Sequence, residues 1–225
     1  GDDRRARGRG GLALMPVLPD RGAATRLVLV RHAETDTSAE GRCYGRLDVG
    51  LSAEGRRRSE ELGAALAATP LAAVYSSPST RALDTAVAVA SPQGLAPVVD
   101  DRLFEIDFGE LEGLTFDEIR RRWAALYREW MERPTQVTFP GGESFADLRS
   151  RVLSAVARIR ERHEADAVAV VAHGGVVRVV LAEVLELPER AIFRFGLDFG
   201  GVTVVDWLDG TAVMRAVNVL LYSRA

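Results

Sequence analysis

Two stretches of this chain are apolar at every position, and both stop at a histidine. Leu27-Val28-Leu29-Val30 runs into Arg31-His32, and Ala167-Val168-Ala169-Val170-Val171-Ala172 runs into His173. A strand with one wet face alternates apolar and polar residues. A strand that does not alternate is covered on both faces, as in a mostly parallel sheet between helices. Further strands of this kind read at 71–76, 202–207 and 212–218, with a weaker one near 97–100. Two buried strands that each end in histidine bring two imidazoles to one sheet edge. Ligands of open α/β sheets bind outside the carboxyl ends of the strands.

Helical patterns fill the gaps between the strands. Ser52 is placed to cap a helix reaching about Ala67, and a second helix reads over 80–90. Thr115 and Glu118 form a capping-box pattern. Phe116, Ile119, Trp123, Tyr127 and Trp130 then recur at helical spacing, as a core stripe or a lid over a site. Ser144 and Asp147 cap the next helix, which carries Phe145, Leu148, Val152, Val156 and Ile159 inward. A last helix begins just after Gly174-Gly175. Alternating strands and helices predict a three-layer α/β/α sandwich around a mostly parallel central sheet. Residues 1–25, rich in Arg and Gly, read as a disordered tail ahead of one domain over 26–225.

Composition narrows the chemistry. All 29 basic side chains are arginines, so lysine Schiff-base and P-loop lysine chemistry are excluded. Cys43 is the single cysteine, so neither an intrachain disulfide nor a cysteine zinc cluster can form. The net charge of −3 gives no global attraction for nucleic acid, and an anionic substrate needs a local positive site. No apolar run approaches the ~18 residues of a membrane span. A cytoplasmic monomer or homodimer, with no cofactor and no metal, is the expectation.

Four segments carry a family resemblance. Arg31-His32-Ala33-Glu34-Thr35 resembles the Arg-His-Gly-Glu signature of the histidine phosphatase superfamily, also called phosphoglycerate mutase-like. Ser76-Ser77-Pro78-Ser79-Thr80-Arg81 resembles its second arginine motif. Leu103-Phe104-Glu105-Ile106-Asp107-Phe108-Gly109 resembles its acid-bearing motif, and Ala172-His173-Gly174-Gly175-Val176-Val177-Arg178 its second histidine motif. They stand in the family's order within about 26–220. The resemblance implies a phosphoglycerate mutase-like fold and hydrolysis of a small phosphate ester through a phosphohistidine.

The residue types fit that chemistry. A phosphoryl transfer needs a nucleophile, cationic donors for phosphoryl oxygens and a proton for the leaving group. His32 is the candidate nucleophile. Arg31 and Arg81 are forked donors that also keep its imidazole neutral. His173, at a helix start, is a donor to a phosphoryl oxygen. Glu105, Asp107 and Glu110 are equal candidates for the general acid on spacing alone; the resemblance aligns Glu105. Ser38, Arg42, Arg46 and Gly174 are further candidates for substrate binding. Ser38 stands where many members carry Asn, and Ala33 where they carry Gly. His163 reads as a surface helix residue without a catalytic role.

The segment Gly41-Arg42-Cys43-Tyr44-Gly45-Arg46 resembles that of α-ribazole phosphatases of cobalamin synthesis. A cofactor-dependent phosphoglycerate mutase is the alternative within the family. Outside it stand a metallohydrolase, disfavoured because the histidines lack close ligand spacing, and a non-catalytic phosphate-binding module, which has no need of Glu105.

Overall fold

The computed structural model describes residues 24–222 and centres on β1 (Thr25–Arg31). β4 (Ala167–Ala172) pairs with it in parallel on one side, and β5 (Val202–Leu208) pairs antiparallel on the other. β2 (Ala73–Ser76) and β3 (Val98–Val99) continue the parallel part, and β6 (Thr211–Val219) closes the antiparallel edge. The six-stranded order is β3-β2-β4-β1-β5-β6. Every strand expected from the sequence is present. Residues 1–23 of the expected tail lie outside the described residues, and Thr25 already belongs to β1.

Two helical layers explain why the central strands do not alternate. Val28 and Val30 face a cluster with Leu62 and Leu66 of α1 (Ala53–Leu66) and with Ala82, Ala86 and Val89 of α2 (Thr80–Ala90). Leu27 and Leu29 face the opposite cluster, with Val152, Val156 and Ile159 of α5 (Phe145–Arg162) and Val176 and Val180 of α6 (Gly174–Val184). Successive strand residues point to opposite faces, and here both faces are dry. The α1–α2 contact is close enough that a Cβ on Gly63 would lie 2.0 Å from the Ala88 carbonyl oxygen.

The caps act as the sequence suggests. The Ser52 hydroxyl accepts from the Gly55 N–H, and both Thr115/Glu118 and Ser144/Asp147 form complete capping boxes. The aromatic helix differs from expectation. It is broken at Trp123 into α3 (Phe116–Arg122) and α4 (Ala124–Glu132), with Trp123 at φ −127° and ψ 43°. A straight helix would hold Phe116 and Trp130 about 21 Å apart. The break folds them back until their rings lie 5.9 Å apart. Ile119 is core, whereas Phe116 is 41% exposed.

His163 needs correction. It caps the C-terminus of α5, and its side chain is only 13% exposed. Its Nε2 lies 3.0 Å from the Tyr75 hydroxyl, which ties α5 to β2. No helix among the described residues is long and apolar enough to cross a membrane.

Candidate active site

Three parallel strands end side by side; the residues after β1 and β4 enter one cleft, and the residue after β2, Ser77, lies buried beside them. Arg31 is in register with Ala172, so His32 and His173 leave the sheet together. The His32 N–H donates to the Ala172 carbonyl (2.9 Å) and the Ser77 N–H, after β2, to the Val171 carbonyl (3.0 Å). The two imidazole centroids are 5.2 Å apart at 63°. Around them lies a cavity of about 340 Å³, lined by Arg31, Arg42, Tyr44, Arg81, Glu105, His173, Gly174 and Arg178 among others.

Backbone contacts orient the rings. His32 Nδ1 lies 2.8 Å from the Ala33 carbonyl oxygen. A carbonyl only accepts, so Nδ1 carries the proton and Nε2 keeps its lone pair. His173 Nε2 lies 2.8 Å from the Ser77 hydroxyl; with that hydroxyl as the donor, the ring proton is on Nδ1. Burial, then the charges of Arg81 and Arg31, push the His32 imidazole well below the usual histidine range. Burial and the same cations do so for His173.

These shifts set a stability dependence. The folded chain keeps both rings neutral as pH falls, while the unfolded chain protonates them near pH 6.5. A depressed folded-state pKa gives stability that is full above the unfolded value and lost below it. The two histidines therefore lower the unfolding free energy as pH falls through the unfolded value. In urea melts, His32→Gln and His173→Gln are each expected to lose less stability than wild type between about pH 7.5 and about pH 5.5. Equal losses in all three proteins would refute this account.

Arg31 and Arg81 reach the cavity from different elements. Arg31 Nη1 donates to the Leu197 carbonyl, and its guanidinium carbon sits 4.1 Å over the Phe199 ring. Arg81, on the first turn of α2, is fully buried. It donates to the carbonyls of Leu47 (3.0 Å) and Gly45 (2.6 Å). Four buried donors on cavity-lining side chains have no hydrogen-bond partner: Arg31 Nε, Arg81 Nε, Arg178 Nε and His173 Nδ1. Buried polar groups are rarely left unpaired, so such a cluster marks a place for acceptor oxygens.

Glu105 faces the same cavity. Its carboxylate accepts from the Ile106 N–H and the Gly175 N–H, each at 2.9 Å. Gly175 is required here, because a Cβ would lie 2.1 Å from Glu105 Oε1. Arg151, which sequence reasoning missed, holds the loop behind Glu105. It donates to the carbonyls of Arg102, Phe104 and Glu105 and pairs with Glu143. Asp107 and Glu110 do not line the cavity. Asp107 instead accepts from the Gly109 N–H.

Two expected binding residues are not brought to the cavity. Ser38 is exposed in the turn Thr37–Ala39, its N–H bound by Asp36 Oδ1. Arg46 lies 4.2 Å over the Phe104 ring, with Glu143 3.9 Å away. The reason is Glu112, whose carboxylate accepts from the N–H groups of Gly45, Arg46 and Leu47 and so sets the course of that loop. Arg42 and Gly174 do line the cavity, although Arg42 Nη1 also donates to the Gly113 carbonyl. Tyr44 and Ser77 were not named as site residues, although both lie in segments that carry the family resemblance. Among the described residues no group of three or more His, Cys, Asp or Glu side chains could hold a metal ion.

Comparison with known proteins defines the class. The model of the histidine phosphatase superfamily, branch 1, matches residues 27–220, and the chain belongs to this family. It is 40% identical over 200 residues to "Bifunctional protein Rv2228c" of Mycobacterium tuberculosis, which covers 88% of this chain and 55% of that protein. The chain thus spans about half the length of that relative. It is 32% identical to "Phosphoserine phosphatase 1" of Hydrogenobacter thermophilus, over 86% of this chain and 92% of the relative. The solved structure of the α-ribazole phosphatase from Shigella flexneri superposes with a TM-score of 0.79 at 27% identity, over 89% of this chain and 99% of that one. The mostly parallel sheet flanked by helices is the fold of such neighbours.

Proposed function

We propose that this protein hydrolyses small phosphomonoesters through a phosphohistidine on His32. The observation that carries the reading is the group of unpartnered buried donors around the free Nε2 lone pair of His32. In the first step Nε2 attacks phosphorus, and the bond from phosphorus to the leaving oxygen breaks. Glu105 gives that oxygen its proton. Arg31, Arg81 and His173 Nδ1 hold the phosphoryl oxygens, whose charge grows in the transition state. In the second step water attacks the phosphohistidine, Glu105 takes its proton, and phosphate leaves with His32 restored.

Two substrates belong at the head of a panel. α-Ribazole phosphate is supported by the Arg42-Cys43-Tyr44 segment, which lines the cavity, and by the named structural neighbour. O-Phosphoserine is supported by the name of a curated relative. The test is phosphate release from a set of phosphomonoesters, 3-phosphoglycerate included, with EDTA present. Metal-independent release is the expected result. Interconversion of phosphoglycerates that requires 2,3-bisphosphoglycerate, without release, would replace the reading by a mutase. Silence in both assays with tight phosphate binding would replace it by a binding module. A cytoplasmic, monomeric or dimeric enzyme is the accompanying proposal.

A further inference from the structure

Arg178 is a cavity cation that the phosphoryl-transfer steps do not use. Side chains on a helix lean toward its N-terminus. Arg178, one turn into α6, therefore reaches back to the mouth that His173 opens. A Cβ on Gly174 would lie 2.9 Å from Arg178 Nη1 and 3.8 Å from Arg31 Nε, so the two cations flank one glycine. Among the described residues no carboxylate forms an ion pair with Arg178. Its contacts are a 3.3 Å bond to the Phe195 carbonyl and the Phe193 ring, 5.3 Å away, and its buried Nε has no hydrogen-bond partner.

Its location in the cavity is specific. Arg178 Nη1 lies against Gly174, and Glu105 Oε1 lies against the next residue, Gly175. The guanidinium and the Glu105 carboxylate therefore meet at the same Gly-Gly turn, where the leaving oxygen must be if Glu105 is to protonate it. A phosphomonoester dianion answers Arg31 and Arg81 and leaves this guanidinium half-buried beside a like charge. A planar fork of donors fits a carboxylate in a bidentate way.

We propose that Arg178 binds a carboxylate on the leaving group, so that this protein prefers phosphomonoesters of small hydroxy acids to those of uncharged alcohols. This rests on the phosphatase reading above and adds a specificity residue to it. The test compares O-phosphoserine with O-phosphoethanolamine, which differ by the carboxylate alone. Wild type is expected to favour phosphoserine in kcat/KM by about tenfold or more. Arg178→Met is expected to bring the ratio to within about twofold of unity, mainly through KM for phosphoserine, and Arg178→Lys to restore part of it. No wild-type preference would overturn the proposal, as would equal losses on both substrates in Arg178→Met, the mark of a residue that only holds the Phe195 turn. Calorimetric binding of both compounds to His32→Ala reads the same preference without turnover. If nothing is hydrolysed, the phosphatase reading fails, while the affinity ratio still decides for or against Arg178. The wild-type ratio and this binding ratio also decide the matter if the Arg178 variants do not fold.

Discussion

His32→Ala is expected to remove turnover of every phosphomonoester that wild type hydrolyses, by about four to six orders of magnitude. The size follows from the absence of a substitute nucleophile in the cavity. Cys43 lines it, but burial, with the carboxylates of Glu112 and Glu105 nearby, pushes its thiol far up, so the thiolate is not formed. His173 Nε2 is engaged by the Ser77 hydroxyl at 2.8 Å, so it is not free to attack phosphorus. The phosphate cradle does not pass through the His32 ring, because Arg31 and Arg81 are held by the carbonyls of Leu47, Gly45 and Leu197. The variant should therefore still bind inorganic phosphate while forming no acid-labile phosphoenzyme in rapid-quench experiments with labelled substrate. Turnover within tenfold of wild type, or a labelled phosphoenzyme in the variant, would remove His32 from the role of nucleophile.

The parts of this design that are legible in the sequence are those set by local pattern. Dry strands lack alternation, and capping residues announce their helices, so β1, β4, Ser52 and both capping boxes read directly. His32 and His173 are legible because each terminates such a strand. What escaped depends on contacts between distant residues. Arg151 looks like any polar helix residue, yet it binds three carbonyls 46 to 49 positions away. Arg46 sits in a loop whose course is fixed by Glu112, more than sixty residues later, so it does not reach the cavity. The break at Trp123 is also tertiary in origin. The stripe from Phe116 to Trp130 has flawless helical spacing, but the chain bends so that Phe116 and Trp130 line the mouth of the cavity while Ile119 enters the core.

Glu105→Gln is expected to divide substrates by their leaving groups. The change keeps the shape of the side chain, and at least one of the two backbone donors, Ile106 or Gly175, keeps an acceptor. What is lost is the exchangeable proton. An alkyl oxygen cannot leave without one, so kcat/KM for an alkyl phosphate should fall by about two to four orders of magnitude. p-Nitrophenolate leaves as a stable anion, and phosphorylation of His32 by p-nitrophenyl phosphate should fall far less. Water must still lose a proton to attack the phosphohistidine, and that step also lacks its base. The variant should therefore release p-nitrophenol in a burst of about one equivalent per active site and accumulate the phosphoenzyme. If kcat/KM falls equally for alkyl and p-nitrophenyl phosphates and no burst appears, Glu105 is a residue that only holds the Gly175 loop, and the proton must come from another group. Asp107 is the weaker second choice, because it does not line the cavity and its carboxylate is engaged by the Gly109 N–H.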